Sequence, residues 1–206
     1  AQLEHIAKEH LASGSPYLIL GAGSNILFTQ DYNGLVLKNE ILGIDVVEEN
    51  DEFVFVKAGA GVNWHQFVLH CIEHDWGGVE NLSLIPGTVG AAPVQNIGAY
   101  GHEVSEVIAR VRTFDRKQQE VKTFTASQCG FGYRNSIFKT EANRYVILDV
   151  TFQLRLGEES LPIGYAELAK ELGVEIGARV AIIKVRDAVL KLRSAKGMLI
   201  GEGIKS

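Results

Sequence analysis

Residues 77–101, GGVENLSLIPGTVGAAPVQNIGAYG, constrain this chain more than any other stretch. The segment is small, largely apolar and glycine-rich, and Glu80 is its one formal charge. Disordered linkers are polar, so a segment of this composition is not one. It reads as backbone packed close either to a flat ligand or to other backbone. Two readings follow and both stay open: a loop lining a planar cofactor, and a buried crossover between two lobes. The amide side chains of Gln95 and Asn96 sit among small residues, which suits the first. Small side chains admit rings, and amides bind polar edges and phosphates.

The flanks set the fold class. An apolar run, Tyr17–Leu20, ends in Gly21-Ala22-Gly23-Ser24-Asn25, and a second strand follows at 34–38 after a DYNG turn. Residues 46–61 read as a hairpin with Val46, Phe53 and Phe55 on one face. In NWHQFVLHCIEHD, Trp64, Phe67, Val68, Cys71 and Ile72 recur at helical spacing, with Asn63 placed to cap the helix. Strands are expected again over 104–156, and helices in IGYAELAKELG and ARVAIIKVRDAVLKLRSAKG. A further helix is expected over 2–12, from the spacing of Leu3, Ile6, Ala7 and Leu11. The whole is α+β in two lobes, 1–42 and 43–197, with a tail at 198–206. Both ends read as cut from something longer.

The Gly21–Asn25 turn has the composition of an anion-binding nest. Glycines let backbone N–H groups turn inward, while Ser24 and Asn25 add donors. It is not a dinucleotide fingerprint of the Rossmann type, because Ile26 stands where a third glycine belongs and no helix follows. It is not a P-loop either, since no Gly-Lys-Ser/Thr follows. A plain tight turn remains the other reading. In CGFGYRNSIFK, Tyr133, Arg134 and Ser136 cluster in a second glycine-containing turn. An arginine there can clamp a carboxylate or stabilise an enolate by charge. His70, Glu73 and His74 match the H-x-x-E-H zinc pattern, yet both histidines flank the apolar stripe, as exposed helix histidines do.

The net charge of −5 makes nucleic acid an unexpected partner. No apolar run is long enough to span a membrane. Two cysteines far apart in sequence, Cys71 and Cys129, suit a reducing cytoplasm better than a disulfide framework.

LGAGSNILF, ENLSLIPGTVGAAPVQNIGAYG, CGFGYRNSIFK and IGYAEL occur in this order, and together they resemble the UDP-N-acetylenolpyruvoylglucosamine reductase (MurB) family from about residue 17 to about residue 197. The resemblance implies the FAD-binding fold of the vanillyl-alcohol-oxidase and p-cresol-methylhydroxylase (PCMH) type. It implies FAD as cofactor, NADPH as reductant, a UDP-sugar substrate and a cytoplasmic role in peptidoglycan precursor synthesis. By motif, Gly21, Ala22, Gly23, Ser24 and Asn25 would hold the FAD pyrophosphate. Ile85, Pro86, Gly87, Thr88, Ala91, Gln95, Asn96, Ile97 and Gly98 would line the cofactor. Arg134 takes the position of the family's catalytic arginine. Tyr100, Tyr165 and Lys196 fall at substrate-binding positions, the last less firmly because KGML replaces the frequent KLPDP. The family's proton-donating serine stands in a GSFF motif that this sequence does not contain, and its C-terminal catalytic glutamate has no counterpart either. The resemblance therefore implies the FAD-binding portion of a reductase. The other readings are a non-catalytic flavin-binding module and, more remotely, a zinc hydrolase built on His70, Glu73 and His74.

Overall fold

The structure is a computed structural model, and it describes residues 16–198. The helix expected over 2–12 and most of the 198–206 tail lie outside these residues.

A mixed-length antiparallel sheet forms the centre. Its strand order is β3 (Ile44–Glu49), β4 (Phe53–Gly59), β10 (Tyr145–Leu156), β8 (Ile108–Asp115) and β9 (Glu120–Thr125), with β5 (Trp76–Gly77) pairing the far end of β10. β10 is the spine because YVILDVTFQLRL is rich in β-branched and aromatic residues and nearly continuously buried. Its register sets Asp149 opposite Gly59 on β4 and Tyr145 opposite Asp115 on β8.

Helix α1 (Trp64–Glu73) packs on one face of this sheet. Asn63 caps it as its position predicts: the side chain accepts from the Gln66 amide at 3.1 Å. All five residues of the expected stripe are buried. Trp64, Phe67 and Phe152 form an aromatic knot, with the Phe67 and Phe152 ring centres 4.6 Å apart. Truncating Phe152 to alanine would cost about 3–5 kcal/mol, the range for a fully buried ring. The Trp64 indole N–H donates to the Leu82 carbonyl at 2.8 Å and so ties the helix to the neutral segment that follows it.

The hairpin of β3 and β4 departs from the expected face. Val54, Val56 and Ala58 are the residues fully inside, whereas Phe53 and Phe55 are half-buried and Val46 is 48% exposed. A bulge between Val46 and Glu48 shifts the register, pairing Val46 with Val56 but Glu48 with Phe55. One extra residue moves every later side chain of β3 to the other face.

The opposite sheet face carries Phe114, Val146 and Leu148, against which Ile19 and Ile41 pack. Ile19 belongs to β1 (Tyr17–Leu20), which pairs in parallel with β2 (Leu35–Lys38). Helices α3 (Ala166–Leu172) and α4 (Ile182–Ala195) build a separate small core from Ile163, Leu168, Ala169, Val185, Ala188 and Val189. The neutral segment 77–101 becomes 3-10 turns at Glu80–Leu82 and Val89–Ala91, then a short hairpin of β6 (Gly98–Ala99) and β7 (His102–Glu103). Its single charge, Glu80, is buried. One carboxylate oxygen accepts the Gly78 amide at 2.6 Å, and burial raises the carboxyl pKa.

Candidate functional site

The turn after β1 and the Gly87–Gln95 stretch face each other across a cleft of about 390 Å³. The two walls touch at their base. A methyl group on Gly21 would stand 2.9 Å from the Thr88 hydroxyl, so glycine is required there for the close approach. Gly90 has the same constraint more severely, since an added Cβ would meet the Ala60 Cβ at 2.5 Å. The amides of Ala22, Gly23, Ser24, Asn25, Gly87 and Thr88 make no hydrogen bond to another described residue. Backbone donors left unpaired along a glycine-rich turn are the chemistry of an anion cradle. Gly21, Ala22, Gly23, Ser24, Asn25, Gly87, Thr88, Ala91 and Gln95 all line the cleft.

Ile85, Pro86, Asn96, Ile97 and Gly98 do not line it. Ile97 is 7% exposed and belongs to the core. The Asn96 side chain is consumed within the fold. Its Nδ2 donates to a Glu103 carboxylate oxygen at 2.6 Å and to the Gly132 carbonyl at 3.2 Å, while its Oδ1 accepts the Ser105 amide at 3.0 Å. Asn96 therefore shapes the loop and offers no free side-chain amide to the cleft. It holds a positive φ of 45°, a backbone state that asparagine tolerates better than most residues. The 77–101 segment thus divides, with Val79, Leu82, Val89, Ala92 and Ile97 in the core and Gly87, Thr88, Gly90, Ala91, Val94 and Gln95 lining the cleft.

Arg134 lies on a strained turn at φ 53°. Its guanidinium donates to the carbonyls of Asn96, at 3.1 Å, and Gly98, at 2.7 Å. Ser136, 1% exposed, donates its hydroxyl to the Val94 carbonyl at 2.7 Å. The FGYR-S turn is thereby fastened along the back of the cleft-lining segment. From β6 the chain leads to Tyr100, whose ring meets that of Tyr165 edge-on with centres 5.7 Å apart. Lys196 Nζ lies 5.9 Å from the centre of the Tyr100 ring and donates to Glu167 at 2.5 Å. Burial raises the Tyr100 pKa against the pull of Arg193 and Lys196, while the hydrogen bond to Glu167 raises that of Lys196. Tyr100, Tyr165 and Lys196, distant in sequence, thus form one cluster.

The histidine motif does not assemble a metal centre. His74 Nδ1 is 2.8 Å from the His70 carbonyl, and the His74 ring stacks on Trp76 at 4.7 Å. No group of three or more metal-ligating side chains occurs among the described residues.

Several cleft residues escaped the sequence reading: Asn39, Ala60, Phe138, Lys139, Asn143 and Tyr145. One signal was available. Gly59-Ala60-Gly61 repeats the Gly21-Ala22-Gly23 triplet at the end of another strand.

Residues 1–124 match the FAD binding domain family. The chain is 51% identical over 188 residues to the UDP-N-acetylenolpyruvoylglucosamine reductase of Cutibacterium acnes, covering 91% of this chain and 50% of that protein. It is 44% identical to the enzyme of the same name from Thermobifida fusca, covering 91% and 53%. The chain spans about half the length of these relatives. Among solved structures it is similar to the UDP-N-acetylenolpyruvylglucosamine reductase of Thermus caldophilus, with TM-score 0.67, 22% identity, and coverage of 95% of this chain and 59% of that one. It is also similar to p-cresol methylhydroxylase, with TM-score 0.54, 14% identity, and coverage of 84% and 38%. At these identities the structures establish the fold, which is the expected α+β type and not the Rossmann type. With a glycine-rich cleft of unpaired amides inside that fold, and the matched region spanning both of its facing walls from Gly21 to Gln95, the chain belongs to the FAD binding domain family.

Proposed function

We propose that this chain is the FAD-binding portion of a cytoplasmic reductase of peptidoglycan precursor synthesis, with lobes at 1–42 and 43–197. The complete protein would use NADPH to convert the enolpyruvyl ether of UDP-N-acetylglucosamine to the lactyl ether of UDP-N-acetylmuramate. The observation that carries the cofactor half is the cleft, whose lining includes Ala22–Asn25, Gly87 and Thr88, with amides that make no hydrogen bond to another described residue, beside small, aliphatic and aromatic side chains. That donor set fits a pyrophosphate, and the small walls fit flat rings. The names and 44–51% identities of the relatives support the reaction half.

When bound, the flavin supplies hydride transfer between the nicotinamide and the substrate double bond. The residues of this chain supply binding and charge. Ala22–Asn25 receive the phosphates through main-chain N–H groups. Arg134, already oriented by two carbonyls, presents positive charge to the substrate carboxylate and to the enolate-like charge that develops beside it. Tyr100, Tyr165 and Lys196 form the surface that meets the UDP portion. The family's serine acid and C-terminal glutamate have no counterpart in this sequence, and losing an acid costs about 10²–10⁴ in rate.

The test is to purify the chain, record its visible spectrum, and follow NADPH oxidation driven by the enolpyruvyl substrate. We expect bound flavin with little or no turnover. A colourless chain that takes up no added FAD would overturn the cofactor reading, and robust turnover would overturn the reading that these residues are insufficient for catalysis.

A further inference from the structure

Resting on the cofactor reading above, we propose that Lys139 is the cationic partner of the cofactor's pyrophosphate. Among the described residues, those lining the cleft are neutral donors, small residues, aliphatic side chains and rings, and Lys139 is the one Lys, Arg, Asp or Glu in that set. The nearby arginines do not line the cleft. The Arg134 guanidinium is held by the Asn96 and Gly98 carbonyls, Arg116 by the Tyr17 ring and the Asn143 carbonyl, and Arg144 by Asp115 and Glu141. Lys139 is different. Its Nζ donates to the main-chain carbonyl of Arg134 at 2.8 Å, and it forms no salt bridge with any described carboxylate. One hydrogen bond to a neutral carbonyl leaves an ammonium with two further donors and an uncompensated charge. The side chain is exposed at the cleft and leaves the short helix α2 (Ile137–Thr140) on a flexible four-carbon stem. FAD carries its negative charge on the pyrophosphate. A neutral cradle of amides provides geometry for that group, and Lys139 provides the charge.

The bond to the Arg134 carbonyl gives this lysine a second consequence. The same Nζ joins the cofactor cleft to the strained turn that presents Arg134. Phosphate and turn therefore share one cation.

Salt separates a charge role from a purely structural one, because about 1 M salt shortens the screening length to about 3 Å. The experiment titrates the purified wild-type, Lys139→Gln and Lys139→Arg chains with FAD, using flavin fluorescence, at low and at high salt. Lys139→Gln should bind FAD about tenfold more weakly at low salt, and the deficit should shrink to about twofold or less at high salt. Lys139→Arg should stay close to wild type at both. An unchanged affinity in Lys139→Gln, or a loss of the same size at both salts, would overturn the inference and leave the cofactor reading standing. Failure of the wild-type chain to bind FAD would overturn that reading and this inference with it.

Discussion

The Tyr17 hydroxyl donates to the Asn143 carbonyl at 2.7 Å, across 126 positions of sequence. The same carbonyl accepts from Arg116, whose guanidinium lies 3.6 Å over the Tyr17 ring. Asn143 itself has a left-handed backbone at φ 65° and lines the cleft. Three segments therefore meet at one oxygen, and β1, which carries the Gly21–Asn25 turn, is clamped to the central sheet there. Asn39, directly after β2, adds a second tie, its Nδ2 donating to the Ile147 carbonyl at 2.8 Å.

Tyr17→Phe should lower unfolding free energy by about 1 kcal/mol, the net worth of one hydrogen bond. Arg116→Met should cost a similar amount through the lost cation–π contact and the lost bond to the carbonyl. The double variant should lose less than the sum, because each residue holds the other in place. Denaturant titration of the four chains measures this, and strictly additive losses would mean that the clamp is two unrelated contacts.

Gly90→Ala should destabilise the chain by about 1–3 kcal/mol, since the new methyl group would stand 2.5 Å from the Ala60 Cβ, well inside van der Waals contact, and one wall must move. Because Ala60 and Gly90 both line the cleft, flavin affinity should fall along with stability. A variant with unaltered melting temperature and flavin affinity would show that the walls yield at no cost.

Glu80 should make stability depend on pH. Burial raises its carboxyl pKa in the folded state, against the opposing hydrogen bond from Gly78. The unfolded chain ionises first, near pH 4.3 (about the free glutamate value), so stability is lost as pH rises from there through the folded pKa. Glu80→Gln keeps an acceptor for the Gly78 amide and removes the charge. Its melting temperature relative to wild type should improve as pH rises above about 4.3 and level off once the folded carboxyl has ionised; a gap that does not change with pH would contradict this.

Asp115 should act with the opposite sign. Burial alone would raise its pKa, but hydrogen bonds from Arg144 and Lys122 and from the amides of Gln118 and Lys117 outweigh it and hold the carboxyl well below the usual range. Its contribution is full above the unfolded value of about 3.9 and is lost as pH falls through the folded one. Asp115→Asn should therefore be clearly less stable than wild type at neutral pH, with the difference closing in acid below about pH 4. Parallel acid-unfolding curves for the two proteins would rule this out.

Much of the architecture was legible along the chain because it depends on local chemistry. The stripe from Trp64 to Ile72, the Asn63 cap and the long strand 145–156 follow from periodicity and propensity, and all three stand in the structure. That the Gly21–Asn25 turn leaves main-chain donors unpaired by other described residues could be expected from its residue types, because such a turn needs only glycine and small polar neighbours. The β3–β4 face could not be read, since β4 alternates Phe53 and Phe55 with Val54 and Val56, both sets apolar, and alternation alone does not say which of them meets the core.

Tertiary structure decided what each residue does within those elements. Gln95 and Asn96 are adjacent amides in sequence, yet Gln95 lines the cleft while Asn96 is spent on Glu103, Gly132 and Ser105. Lys139 looked like the end of a motif until the fold brought it to a cavity with no other Lys, Arg, Asp or Glu among its described lining residues. Composition and spacing specify what a segment can bind, because those are properties of the residue types. Which donors remain unpaired, and which charge stands alone among the described residues, depends on partners that the fold brings together, some as far apart in sequence as Tyr17 and Asn143 at 126 positions, and only packing supplies those.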